Sequence, residues 1–199
     1  MKVELTFLRH ASRNRNASDS YGAEIAQPLN PKGYAEARLR RQLLGNPDYG
    51  LVLSGPALRV VETTREVAPD KPIIKVDELG YEYTSPRGKL IERVFKECAH
   101  QSSLATFYAH EHGAALREHG QIAAKAVRWH VHESGASRVL VVGHGGTGPA
   151  MVEQMLSRPE DKKMVRDFTI YECEGYWLWL EDAKVVDFEF IRWLRPVYY

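Results

Sequence analysis

The sequence predicts an α/β protein with three layers (α/β/α), in which helices cover both faces of a mostly parallel central sheet. The first observation behind this prediction is that short apolar runs with the length of strands alternate with helical patterns. Strands that are separated by helices pair in parallel and become buried on both faces. The second observation is the length of 199 residues, which suits one domain with a sizeable core. We therefore expect a single domain over residues 1–199.

The first half of the chain contains three predicted strands, at residues 3–8, 51–53 and 73–76. The helix between the first two strands begins at Pro31, directly after the capping residue Asn30. Three residues are expected to form the apolar face of this helix: Ala35, Leu39 and Leu43. A second helix begins at Pro56, so strands and helices alternate through this half of the chain.

The alternation lapses at residues 81–135, a long and mainly helical stretch. We expect this stretch to be a helical insertion that covers the ligand site as a lid. One amphipathic face within it contains Ile122, Ala126 and Trp129. Residues 138–142 are again predicted to form a buried strand, and the aromatic-rich tail is predicted to form strands with a hairpin turn near Asp182 and Ala183.

The overall charge is almost balanced, with 27 basic against 26 acidic side chains and a net charge of +1. We therefore expect neither nucleic acid nor an anionic membrane surface as the main partner. No apolar run approaches the length of a membrane span. The sequence does not indicate an oligomeric state.

Metal-binding residues are not expected. Cys98 and Cys173 lie far apart and outside any metal-like spacing, which favours reduced thiols and a cytoplasmic protein. Two pairs of histidines are spaced two residues apart, and on a helix such residues point in different directions. We interpret these pairs as surface or lid residues rather than zinc ligands: His110 with His112, and His130 with His132.

Three predicted strands end in polar residues of catalytic type. The first is followed by Arg9 and His10, the second by Ser54 with Arg59 about one turn later, and the fourth by His144. Because ligands bind beyond the carboxyl ends of parallel strands, these residues should converge on one pocket. Arginine can hold two phosphate oxygens at once and stays charged. The pattern predicts an anion site.

Four segments occur in order along the chain: "LRHASRNRN", "PLNPKGYAEA", "SGPALRVVETT" and "VVGHGG". Together they resemble the motifs of the histidine phosphatase superfamily, which includes the cofactor-dependent phosphoglycerate mutases. The first segment resembles the family's Leu-x-Arg-His-Gly loop. The third resembles its Ser-Pro-x-x-Arg-x-x-x-Thr segment through Ser54, Pro56, Arg59 and Thr63, with one glycine inserted. The resemblance spans residues 5 to about 150.

This resemblance implies a phosphate pocket made of Arg9, His10, Arg59 and His144, with Asn16 as a further donor. It implies that His10 is the nucleophile that takes the phosphoryl group, because a neutral imidazole has a free lone pair near physiological pH. The arginines and His144 would offset charge in the transition state. The implied substrate is a phosphorylated small molecule, or a phosphorylated protein, and no cofactor is implied.

A general acid is needed to protonate the leaving oxygen. The resemblance implies that Glu78, just after the third strand, is this acid, and Glu82 is the alternative. A third possibility is that neither is the acid and both are solvated carboxylates in a loop. Arg13 and Arg15 are either solvated or a clamp for a second anionic group. Ala11 replaces the family's glycine after the nucleophile, at a cost of about 1 kcal/mol if that position needs a positive φ.

We expect the protein to be a metal-independent phosphatase that hydrolyses a phosphomonoester through a phosphohistidine on His10. The alternatives are a phosphoglycerate mutase-type activity, a protein-phosphohistidine phosphatase, and a catalytically weak phosphate-binding protein, for which Ala11 is the best hint. A phosphatase must admit water, and Gly88, Gly113 and Gly120 in the predicted lid suggest a loose cover.

Overall fold

The computed structural model describes residues 2–14, 25–98 and 102–193. Its strands are β1 (Lys2–Arg9), β2 (Leu51–Ser54), β3 (Ile74–Lys75), β4 (Arg138–Gly143), β5 (Gly175–Glu181) and β6 (Lys184–Ile191). Its α-helices are α1 (Pro31–Leu43), α2 (Leu58–Val67), α3 (Pro86–Glu97), α4 (Leu104–Ala109), α5 (Gly113–Ser134), α6 (Thr147–Met155) and α7 (Pro159–Asp167). A 3₁₀ turn at Asp77–Leu79 follows β3.

The strands form one sheet in the order β3-β2-β4-β1-β5-β6. The first four run parallel, and β5 runs antiparallel to both of its neighbours. The β5–β6 hairpin turns through Asp182 and Ala183, whose φ angles of 47° and 64° match the right-handed twist of the two strands. The mostly parallel sheet and the hairpin are therefore confirmed, although β3 has only two residues instead of the predicted four.

Helices cover both faces of the sheet. On one face, α1 and α2 enclose a core that includes Leu8, Val52 and Leu140. On the other face, α5 and α6 pack over alternate strand residues such as Phe7 and Val141. Successive side chains of a strand point to opposite faces, so neighbouring residues of β1 enter different cores. The three-layer prediction is confirmed.

The predicted inner face of α1 is wrong. Ala35 is exposed, and Leu39 and Leu43 are 46% and 52% exposed. The inward residues are Gly33, Ala37 and Arg40. The predicted cap is present, since the Asn30 side chain accepts from the Gly33 amide at 2.8 Å, but a Cβ atom at Gly33 would lie only 2.0 Å from the Ser12 carbonyl oxygen. This close backbone approach, rather than the leucines, determines which side of α1 faces inward.

The long helix α5 belongs to the packed helical layer. A Cβ atom at Gly120 would lie 2.6 Å from the Ala150 carbonyl oxygen, so the backbones of α5 and α6 approach closely there. The inward side of α5 is made of small and β-branched residues such as Ala123 and Val127, and Trp129 is 59% exposed, contrary to the predicted face. Within the described residues, no helix has the length and apolar character needed to cross a membrane.

Candidate active site

The ends of β1, β2 and β4 meet at one edge of the sheet. Arg9 pairs with Gly143, and the His10 amide donates to the Gly143 carbonyl at 2.9 Å. Ser54 pairs with Val142 in the same parallel ladder. The polar residues that follow these strands therefore lie close together, as predicted from their positions at the ends of parallel strands.

The pocket brings together four of the predicted residues: Arg9, His10, Arg59 and His144. Each is at most 9% exposed. The rings of His10 and His144 meet edge to face with centroids 5.3 Å apart, and Arg59 Nε lies 3.3 Å from His10 Nε2. Two guanidinium groups thus adjoin two imidazoles in a buried space, which is an arrangement suited to a phosphate group.

The environment of His10 favours a neutral ring with its hydrogen on Nδ1. Its Nδ1 lies 2.8 Å from the Ala11 carbonyl oxygen, which can only accept, so Nδ1 carries the hydrogen. Burial, and then the charges of Arg59, His144 and Arg9, lower the pKa of His10 well below its usual value. The lowered pKa favours the neutral ring, whose Nε2 accepts a hydrogen bond from Arg59 Nε.

His144 is neutral for the same reasons. Burial lowers its pKa well below the usual value, followed by the charges of Arg59, Arg9 and Arg13. Its Nε2 is buried and has no hydrogen-bond partner among the described residues. A neutral imidazole beside His10 can bind a phosphate oxygen without adding a further full charge to the two arginines.

The Arg9 guanidinium is held by the turn that precedes β5. Its Nη1 donates to the Ile170 carbonyl at 2.8 Å, and its Nη2 donates to Glu172 Oε1 at 2.9 Å. The Cys173 amide donates to the Arg9 carbonyl, and Cys173 adopts a left-handed φ of 57°. Sequence reasoning missed Glu172, because 163 residues separate it from Arg9 and nothing in "YECEG" distinguishes it from a solvated acid.

A single hydroxyl links the loop after β1 to α2. Thr63 Oγ1 donates to the Arg59 carbonyl at 2.7 Å and accepts from the Ala11 amide at 3.0 Å. Ala11 is fully buried, and its φ is not positive. The backbone cost considered for alanine at this position therefore does not arise, and the loop is fixed through a threonine that the sequence motif already contains.

The two candidate acids are both exposed carboxylates. Glu78 is exposed and lies on the turn Asp77–Leu79. The carbonyl oxygen of Leu79, the next residue, would lie 3.3 Å from a Cβ atom at Gly55, so this turn rests on the end of β2. Glu82 is also exposed and accepts from Thr84 Oγ1 at 3.2 Å. The turn that carries Glu78 therefore contacts the end of β2 through the Leu79 backbone.

Of the three remaining polar candidates, only Arg13 lies within the described residues. Arg13 Nη1 donates to the Asn14 carbonyl and contacts Gln27 Oε1, and its charge also lowers the pKa of His144. Arg13 thus lies close enough to influence the pocket. Asn16 and Arg15 lie outside the described residues.

The histidine pairs show no metal-like cluster. His110 Nε2 lies 3.0 Å from Glu97 Oε2, and the His112 amide donates to His110 Nδ1 at 3.1 Å. Within residues 2–14, 25–98 and 102–193, no group of three or more His, Cys, Asp or Glu side chains is placed to hold a metal ion.

Comparison with known proteins identifies related folds at low sequence identity. The alpha-ribazole phosphatase of Shigella flexneri has a TM-score of 0.62 at 18% identity, with 92% of this chain and 93% of that chain covered. A phosphoglycerate mutase of Bacillus anthracis has a TM-score of 0.61 at 17% identity, with 93% of this chain and 91% of that chain covered. The protein histidine phosphatase SixA complexed with tungstate has a TM-score of 0.61 at 16% identity, with 92% of this chain and 93% of that chain covered.

No curated protein matches the chain at a significant level. The family model of the histidine phosphatase superfamily (branch 1), however, matches residues 5–186. That match runs from β1 into the β5–β6 hairpin and includes every strand end that forms the pocket. The chain therefore belongs to the histidine phosphatase superfamily.

Proposed function

We propose that this chain is a metal-independent phosphatase that hydrolyses a phosphomonoester through a phosphohistidine on His10, acting as one domain. The observation that carries the proposal is the neutral His10 ring, whose Nδ1 hydrogen is directed to Ala11 and whose Nε2 faces Arg59. A nucleophile needs a free lone pair, and phosphoryl transfer needs charge stabilisation around the transferred group. His10 Nε2 carries this lone pair, which here accepts from Arg59 Nε, and Arg59 can exchange that bond for one to a phosphate oxygen when substrate binds.

In the first step, His10 Nε2 attacks phosphorus and the bond to the leaving oxygen breaks. Arg9, Arg59 and His144 bind the non-bridging oxygens, and Asn16 is a further proposed donor. Glu78 gives its proton to the leaving oxygen, so the product leaves as an alcohol. In the second step, water attacks the phosphohistidine, its proton passes to Glu78, and phosphate leaves as His10 recovers its lone pair.

Hydrolysis rather than mutase activity requires water to reach the phosphohistidine. The glycines of the predicted lid do not support this choice. A Cβ atom at Gly88, Gly113 or Gly120 would lie 1.8–2.6 Å from a carbonyl oxygen, so these glycines allow tight packing. What supports hydrolysis is that two of the three compared structures, the alpha-ribazole phosphatase and SixA, are named as phosphatases.

The proposed substrate is a phosphorylated small molecule. Solved structures with the same fold include phosphatases named for alpha-ribazole and for protein histidine, and a phosphoglycerate mutase. A protein-phosphohistidine substrate is the second candidate, because the SixA structures share the fold over more than nine-tenths of this chain.

The fate of phosphate on His10 tests this function. We expect a substrate with labelled phosphate to label His10, and the label to become inorganic phosphate at the same rate with or without added phosphoglycerate. EDTA should have no effect, whereas vanadate or tungstate should inhibit by occupying the phosphate pocket. Transfer of most of the label to phosphoglycerate would instead establish a mutase, and activity lost in EDTA and restored by zinc or magnesium would contradict the metal-free mechanism.

Replacing Glu78 with glutamine tests the assignment of the acid. The variant should lose about 100-fold or more in kcat on alkyl phosphates, whose leaving groups need a proton, and much less on aryl phosphates. The matched control is Glu82→Gln, an exposed carboxylate four residues away, which should retain activity on both classes. An equal loss on both classes would make Glu78 a positioning residue, and a selective loss in Glu82→Gln would transfer the role to Glu82.

A further inference from the structure

His119 is a buried histidine that the proposed reaction does not use. It lies in α5, is only 6% exposed, and its Nε2 has no hydrogen-bond partner among the described residues. Buried polar atoms in native proteins are nearly always paired, so an unpaired one calls for a functional explanation. No sequence pattern marks His119, because it has no second histidine two residues away, unlike the two histidine pairs of this stretch.

His119 is connected to the phosphate pocket through two aromatic rings. Its ring meets Tyr81 edge to face, with centroids 6.4 Å apart. Tyr81 in turn contacts Phe95, and Phe95 packs so closely on Gly146 that a Cβ atom there would lie 2.4 Å from its ring. Gly146 is two residues from His144, so a continuous line of contacts leads from His119 to the pocket.

The charges around His119 agree with this placement. Burial lowers the pKa of His119, and the carbonyls of Gly80 and Glu78 and the Glu78 carboxylate oppose that shift. The charge of Arg87 on α3 also lowers the pKa of His119, and His119 in turn lowers the pKa of His144. The His119 ring thus adjoins the turn that carries Glu78, in agreement with the contacts between α5 and this turn.

Glu78 depends on its backbone for its position. Its carboxylate has no hydrogen bond or ion pair to any residue in the described part of the chain. The Val76 amide donates to the Ser54 carbonyl at 2.9 Å, and the Gly80 amide donates to the Asp77 carbonyl at 3.0 Å. These bonds fix the turn from the side of the sheet, while α5 packs against its other side.

We propose that His119 is a positioning residue that supports the turn carrying Glu78 and so aligns this carboxyl with the leaving oxygen beside His144. This inference rests on the proposed function. The leaving oxygen must lie between the phosphoryl group and the acid that protonates it, so a buried side chain that supports the turn Asp77–Leu79 also influences where this acid lies. Its ring supports the turn at the carbonyls of Glu78 and Gly80.

The test combines leaving-group dependence with a double-mutant cycle. We expect His119→Ala to lower kcat on an alkyl phosphate about 10-fold more than on an aryl phosphate, with little change in KM. The double variant with Glu78→Gln should be no slower on the alkyl phosphate than Glu78→Gln alone, because both changes affect the same proton transfer. His132→Ala, at an exposed position on the same helix, is the matched control and should behave as wild type.

Each other outcome has a defined meaning. Three results would overturn the role of His119 while leaving the phosphatase assignment intact. The first is an equal loss of kcat on both substrates in His119→Ala, and the second is additivity of the His119→Ala and Glu78→Gln effects. The third is a selective loss on the alkyl phosphate in His119→Ala when Glu78→Gln shows no such loss. If His119→Ala does not fold, His119→Gln replaces it in the same cycle. Failure of the wild-type protein to hydrolyse either substrate would instead overturn the proposed function, and this inference with it.

Discussion

Replacing His10 with alanine should lower turnover by about 10⁴-fold or more, because the variant has no atom that can accept the phosphoryl group. His144→Ala should leave a measurable trace of activity. In that variant the nucleophile and both guanidinium groups remain, and only one ligand of the phosphate oxygens is lost. Loss of a single preorganised donor costs about 10²–10³-fold in turnover.

The measurement is kcat on one good aryl phosphate, together with covalent labelling of the protein by labelled substrate. His10→Ala should take up no label, whereas His144→Ala should be labelled slowly. Both residues are buried, so thermal unfolding of each variant provides the control for folding. Equal residual rates in two folded variants, or labelling of His10→Ala, would contradict the assignment of the nucleophile.

The pocket was predictable from the sequence because its parts occur at strand ends. Arg9, His10 and His144 directly follow apolar runs, and parallel pairing delivers such ends to one edge of the sheet. Arg59 and Thr63 are spaced one helical turn apart, so one side of α2 serves both the pocket and the Ala11 amide. These relations are local in sequence or follow from strand order.

The missed features depend on tertiary packing. The inner face of α1 is determined by contact of Gly33 with Ser12, and that of α5 by contact of Gly120 with Ala150. Hydrophobic periodicity favours large apolar residues such as Leu39 and Trp129, but close backbone contact selects small ones. Glycines that permit such contact and glycines that loosen a loop look the same in a sequence.

Glu172 was missed for a related reason, since its pairing with Arg9 joins the two ends of the matched region. The ion pair is largely buried, with 7% of the Arg9 side chain and 17% of the Glu172 side chain exposed. Removing one partner of a buried pair leaves the other charge poorly compensated, which costs about 3–5 kcal/mol. We therefore expect Glu172→Ala to lower the free energy of unfolding by about 3 kcal/mol.

Urea denaturation measures this loss, and an exposed ion pair supplies the control. Arg38 Nε lies 2.7 Å from Glu66 Oε2, with 66% and 23% of the side chains exposed, so Glu66→Ala should cost less than about 1 kcal/mol. Glu172→Gln keeps an oxygen that can accept from Arg9, and its cost should lie between those of the two alanine variants.

The same variants should separate stability from phosphate binding. If Glu172 orients Arg9 for the substrate, folded Glu172→Ala should bind vanadate more weakly than wild type, whereas Glu172→Gln should recover most of that affinity through the retained hydrogen bond. Glu66→Ala should leave vanadate inhibition unchanged. A cost for Glu172→Ala no larger than that for Glu66→Ala would show that the Arg9–Glu172 pair is solvated in solution. A large cost with unchanged vanadate inhibition would show that Glu172 stabilises the turn before β5 without orienting Arg9 in the pocket.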